Sequence, residues 1–122
     1  MKKMICTLAL LFSCVTSYAQ ETEQEIVDAI TAEFMGYFED FVARDFDGIA
    51  THFQLPALLN SQIGTSYDEI ARIFEEMPIQ DGYKYSTVDS LEVNKLNNVV
   101  YVINLSFRRF NASDEVIFQG TS

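Results

Sequence analysis

The sequence predicts an α+β fold, with helices in the first half and mostly antiparallel strands in the second. Three observations carry this. Apolar residues recur at spacings of three and four from Ile26 to Val42, the mark of a helix with one apolar stripe. Strict alternation runs from Val99 to Arg108, the mark of a strand with two unlike faces. Turn residues separate these segments with no repeat, low-complexity tract or linker between them. At 122 residues, 48% apolar, the chain has room for one domain and enough apolar side chain for a core. Eight Lys and Arg stand against eighteen acids, for a net charge of -10, so the chain lacks the basic face that nucleic acid requires.

The N-terminus reads as a targeting segment. Lys2 and Lys3 precede an apolar run from Met4 to Phe12, too short to span a bilayer, and Ser17-Tyr18-Ala19 offers a cleavage site before Gln20. Residues 1–19 are therefore read as a signal peptide and 20–122 as a single exported domain, periplasmic or secreted. The alternative is a lipoprotein anchored at Cys14, because Leu11-Phe12-Ser13-Cys14 resembles a lipobox. Cleavage before Gln20 removes Cys6 and Cys14, the only cysteines. No thiol would then remain for a disulfide, a nucleophile or a metal ligand, and the domain would rest on its apolar core.

In the first helix, Ile26, Ile30, Phe34, Phe38, Phe41 and Val42 form the stripe, and Glu25, Asp28, Glu33, Glu39 and Asp40 fill the other face. The spacing predicts a helix over 22–43, with Gly36 a tolerated weak point and acids near its start complementing the dipole. Arg44-Asp45 turns the chain, and Asp45 caps a shorter helix expected to cover Phe46, Ile49, Ala50 and Phe53 before Pro56 stops it. A short strand over 57–61 follows, closed by a turn at Gly64. Ser66 with Glu69 makes a capping box for a third helix, which Pro78 ends.

Beyond Pro78 the period changes to two. Residues 83–88 alternate, and Leu91-Glu92-Val93 resumes on the other parity, which predicts a bulge near Asp89-Ser90. Asn97-Asn98 turns into the strongest strand: Val99, Tyr101, Ile103, Leu105 and Phe107 face one way and should pack on the helices. Val100, Val102, Asn104, Ser106 and Arg108 face the other, toward solvent or a partner. A turn at 111–114 leads into a further strand from Glu115.

This order of elements resembles the NTF2-like superfamily, specifically its SnoaL-like branch. The likeness is carried by Phe38-Glu39-Asp40-Phe41-Val42-Ala43-Arg44-Asp45-Phe46-Asp47-Gly48-Ile49-Ala50, by His52-Phe53-Gln54-Leu55-Pro56, and by Ser66-Tyr67-Asp68-Glu69-Ile70. The resemblance implies a cone, with the N-terminal helices packed in a strongly curved, mostly antiparallel sheet around a pocket. It also implies a last strand, often with a Gly-Trp pair. No Trp is present and the sequence stops at Ser122, so the expectation is a domain with that strand missing.

The family includes isomerases, cyclases and dehydratases, which place an Asp or His base in an apolar pocket. No such set maps onto this sequence, so no catalytic residue is assigned. His52, the only histidine, is the one candidate base, with an acid such as Asp89 behind it. The pocket is expected to draw on Phe34, Tyr37, Phe38, Phe53, Tyr101 and Ile103. Asp45-Phe46-Asp47-Gly48 carries a fragment of a calcium loop but reads as a helix cap, so neither metal nor cofactor is called for. Arg108-Arg109 reads as ion-paired to acids or, alternatively, as an anion site. Three functions follow: a non-catalytic domain that binds a small apolar or amphipathic molecule, an enzyme of the isomerase, cyclase or dehydratase kind, or a homodimer formed through the sheet face bearing Val100 and Val102.

Overall fold

Helix α1 (Glu23–Ala43) begins where the sequence places it, and the computed structural model describes residues 22–122. The segment 1–19, with its expected cleavage site and Cys14, lies outside the described residues. Among the described residues no helix is long and apolar enough to cross a membrane. The chain divides after Ile30 into two units. In the first, Thr22 Oγ1 accepts from the Glu25 amide at 3.1 Å and Gln24 donates to Asp28 at 2.9 Å, so this end of α1 has its own cap and an i,i+4 pair.

The second unit, residues 31–122, holds the rest of the elements. α1 stops at Ala43 because Arg44 takes a left-handed conformation (φ 57°). The Arg44 amide then donates to Phe41 O at 3.1 Å and the Asp45 amide to Asp40 O at 2.9 Å, a Schellman closure made without glycine. The left-handed backbone is unfavourable for a residue with a Cβ. The Arg44 guanidinium offsets part of that by lying over Phe41 and Phe46, 5.0 and 4.9 Å from the ring centres.

Asp45 caps α2 (Phe46–Ala50), accepting from the Gly48 amide at 3.0 Å. This helix is shorter than expected: residues 51–53 form turns, and Phe53 and Pro56 lie beyond it. The turn at Gly64 is likewise corrected. β1 (Ala57–Leu59) and β2 (Gln62–Gly64) form a hairpin that turns at Asn60-Ser61, both at positive φ (46° and 72°), the geometry of a two-residue primed turn. Gly64 sits inside β2 and is buried, because the third helix crosses it closely: a Cβ there would stand 2.6 Å from Ile70 Cγ1.

That helix, α3 (Tyr67–Glu76), has Ser66 as N-cap, accepting from the Glu69 amide at 3.2 Å. The Glu69 carboxylate reaches past the cap to Thr65, taking its amide at 2.7 Å and its hydroxyl at 2.8 Å. The hydrogen bonds from Thr65 hold that carboxyl below the usual range. Met77 is extended, as a residue before proline prefers, and the helix ends there. Phe41, Ile49, Ala50, Ile70, Ala71 and Phe74 form the buried core between the three helices, with Tyr37, Phe53 and Tyr83 packed against it.

β3 (Tyr85–Lys95), β4 (Tyr101–Phe110) and β5 (Val116–Thr121) form an antiparallel sheet in that order. The register of β3 on β4 shifts between Val88 and Ser90, so Asp89 is the bulge that the parity change predicts. The effect is to keep Ser86 and Val88 on the same face as Leu91 and Val93. A second shift, between Arg109 and Phe110, breaks the β4–β5 ladder. β5 pairs only with the later half of β4, up to the reciprocal Leu105–Ser122 backbone bonds of 2.8 and 2.9 Å. Val102, on the other face of β4, and Val100, just before the strand, are exposed. The fold is thus α+β with antiparallel sheets that do not close.

Candidate functional site

Within residues 31–122, the apolar stripe of α1 meets the odd-numbered face of β4 incompletely. Phe34, Tyr37, Phe38 and Phe41 project from the helix at i, i+3, i+4 and i+7. Facing them are Leu105, Phe107 and Arg109 of β4, with Ser86 of β3, and the volume left between is about 190 Å³. The helix side is lined by rings that pack on one another. Phe34 lies 5.6 Å from Tyr37 and 6.5 Å from Phe38, and Tyr37 lies 6.3 Å from Phe41. Such pairs prefer offset or tilted geometry over a face-to-face sandwich.

Three of the six expected pocket residues, Phe34, Tyr37 and Phe38, line this recess. Phe53 does not: it packs in the core, 5.9 Å from Tyr37 and 5.6 Å from Phe74. Tyr101 and Ile103 share the correct strand face but pair with Lys95 and Val93, and neither lines the recess. The recess opens two residues later, at Leu105. Alternation alone identifies the face and cannot say where along the strand a helix lies against it.

Tyr37, Ser86, Arg109 and Ser122 supply the polar groups. Burial pushes the Tyr37 hydroxyl above its ordinary pKa, against the opposing pull of Arg109 and Arg44, and the hydroxyl makes no hydrogen bond among the described residues. The adjacent arginines separate completely, as consecutive strand residues must. Arg108 grips the bulge residue Asp89 through Nε and Nη2, each at 2.9 Å, a bidentate pair that holds the Asp89 carboxyl low. Asp89 is therefore occupied as a counter-ion.

Arg109 turns to the recess. Its guanidinium carbon lies 5.2–5.8 Å from the ring centres of Phe41, Tyr83, Phe107 and Phe118, and Nη1 donates to Gln80 Oε1 at 2.8 Å. Nε is buried with no acceptor. No acid pairs with Arg109 among the described residues, and burial pulls its pKa down. The ion-paired reading of the doublet therefore holds for Arg108 alone. The parity that puts Phe107 on the helix side puts Arg109 there as well.

His52 does not line the recess. It follows α2, and its ring lies between two acids of α1: Nδ1 is 2.6 Å from Glu33 and Nε2 2.8 Å from Asp40. The ring sits above Gly36, where a Cβ would come within 3.1 Å of Cε1. Desolvation pulls the imidazole pKa down, but the hydrogen bonds to Asp40 and Glu33 outweigh it and the net shift is upward. With both nitrogens engaged, this histidine ties α2 to α1. Because the folded pKa lies above the unfolded value of about 6.5, the tie contributes fully below that pH and fades as pH rises through the folded pKa. Replacing His52 by Gln should cost about 1 kcal/mol at pH 6, given the exposure of Glu33, and less at pH 9. Urea titrations of both proteins at the two pH values check this; a pH-independent difference contradicts the assignment.

No family model matches this chain, and no curated protein sequence matches it.

Proposed function

We propose that residues 20–122 are a single NTF2-like, SnoaL-like domain whose recess binds a small apolar or amphipathic molecule without transforming it. One observation carries the reading: the recess of about 190 Å³, lined by Phe34, Phe38, Leu105 and Phe107 with the polar residues Tyr37, Ser86, Arg109 and Ser122 among them. Mostly apolar concavities with a few placed polar atoms are what small ligands occupy. Antiparallel strands with two register shifts against a long helix support a curved, cone-like sheet, since bulges increase local twist. Export through residues 1–19 belongs to the same reading and fits an acidic domain that has no cysteine after Cys14.

A binding role suits the polar groups better than catalysis does. A general base needs a free lone pair beside the substrate. His52 lies away from the recess with both nitrogens bonded, and Asp89 is held by Arg108.

A dry cavity of roughly 150 Å³ takes one benzene ring, so the recess is sized for one ring and a small substituent. Benzyl alcohol added to the full chain should shift the amide signals of Phe38, Leu105 and Phe107 in a two-dimensional NMR spectrum, saturating at millimolar concentration. Leu105→Trp should fill the space and abolish the shifts. Shifts scattered over the surface, or unchanged in Leu105→Trp, would remove the ligand reading.

A further inference from the structure

The two arginines of β4 have the same chemistry and opposite circumstances. Arg108 has its carboxylate, taken side-on through Nε and Nη2. Arg109, one residue on and on the other face, has none. Gln80 accepts from Nη1, which leaves the Nε–Nη2 side without an acceptor, and the Nε–H is buried. Aromatic faces surround the cation and stabilise it partly, yet they accept no hydrogen bond in the plane of the guanidinium. A buried donor with no acceptor is costly, and a partly desolvated cation with no counter-ion more so. In a chain with eighteen acids, leaving this cation unneutralised is a marked feature of the site.

The recess places an apolar volume beside that cation. No aspartate or glutamate side chain lines it; Ser86, bonded to the Tyr83 hydroxyl, and Ser122 border it, and Tyr37 adds a hydroxyl that has no partner among the described residues. We infer that the ligand of this recess is a small amphipathic carboxylate, an apolar body of about one ring whose head group is anchored by Arg109 with Tyr37 as a second donor. A planar carboxylate matches the fork of a guanidinium, as Asp89 does on Arg108. One unpaired cation neutralises one charge, which favours a monoanion over a doubly charged phosphate in a protein of net charge -10. The inference rests on the recess being a ligand site, as proposed above.

The test compares isosteric probes on the full chain at pH 7. Benzoate should bind at least tenfold more tightly than benzyl alcohol, by NMR titration or calorimetry, with shifts at Tyr37, Phe107 and Arg109. Arg109→Met keeps the length and apolar stem of the side chain and removes the charge, a change that buried ionic sites often tolerate. Benzoate should then lose its advantage while benzyl alcohol keeps its affinity. Tyr37→Phe should weaken benzoate severalfold and leave benzyl alcohol unchanged. If the two probes bind the native protein equally, the carboxylate inference fails and the ligand reading stands; if neither binds, both fail. The comparison on the native chain decides even if Arg109→Met does not fold.

Discussion

Phe74→Ala is expected to destabilise the protein by about 4 kcal/mol, whereas Phe38→Ala should cost about 1 kcal/mol. The two substitutions delete the same ring from different surroundings. Phe74 is 5% exposed, edge-on to Tyr37 at 6.1 Å and tilted against Phe53 at 5.6 Å. Its removal forfeits burial and two ring contacts and leaves a cavity that Ile70 and Phe41 cannot close. Phe38 borders a volume that is already open, so its loss enlarges the recess without emptying the core. Urea denaturation followed by circular dichroism should show a lower midpoint at similar slope for Phe74→Ala, and a small displacement for Phe38→Ala. A domain of this size has about 5–15 kcal/mol in total, so the first change brings it close to unfolding. Equal costs for the two would mean that core and recess have been wrongly separated.

The second large effect is expected at the crossing of β2 and α3. Gly64→Ala places a methyl group 2.6 Å from Ile70 Cγ1. Ile70 is 0% exposed, so it has no free volume to move into. Overpacking of this kind costs about 2–3 kcal/mol. Ile70→Ala alone costs about 3 kcal/mol through the cavity it leaves. Combined, the added methyl enters the space that the isoleucine vacated, and the double variant should be less destabilised than the sum of the single ones by at least about 1 kcal/mol. A double-mutant cycle from the same denaturation measurements checks this. Strict additivity would show that the two side chains do not meet.

Much of the fold was legible because local rules decide it. The α1 stripe, the Asp45 and Ser66 caps and the stop before Pro78 depend on residues within four positions of one another, as did the parity change that marks the Asp89 bulge. The misreadings came where one local signal had to compete with another. Asn60-Ser61 is a weak version of the primed-turn pair, and Gly64 drew the turn to itself, although that glycine serves a close approach by α3. Phe53 continued the helical spacing of α2, but it leaves the helix to join Tyr37 and Phe74 in the core.

The recess was half legible. Phe34, Tyr37 and Phe38 follow from the helix stripe, whereas Tyr101 and Ile103 were expected where Leu105 and Phe107 stand. The period of a strand assigns faces and is blind to translation along the strand axis. The Arg108-Arg109 doublet was read as a unit, ion-paired or an anion site, while the strand sends its two members to opposite faces, one paired with Asp89 and the other beside the recess. No catalytic residue was assigned, and His52 stood as the one candidate base because an isolated imidazole is chemically conspicuous. Its acids, Glu33 and Asp40, lie nineteen and twelve positions away, a separation at which sequence spacing is silent.

Backbone periodicity and nearest-neighbour hydrogen bonding were enough to set the α+β order, the helix caps, the two faces of β4 and the bulge. The packing of elements in space was needed to leave Arg109 without an acid among the described residues, to bind His52 between two carboxylates, and to open the volume at Leu105. Those outcomes depend on how far one element is displaced along another, a distance set by side-chain volumes meeting in space.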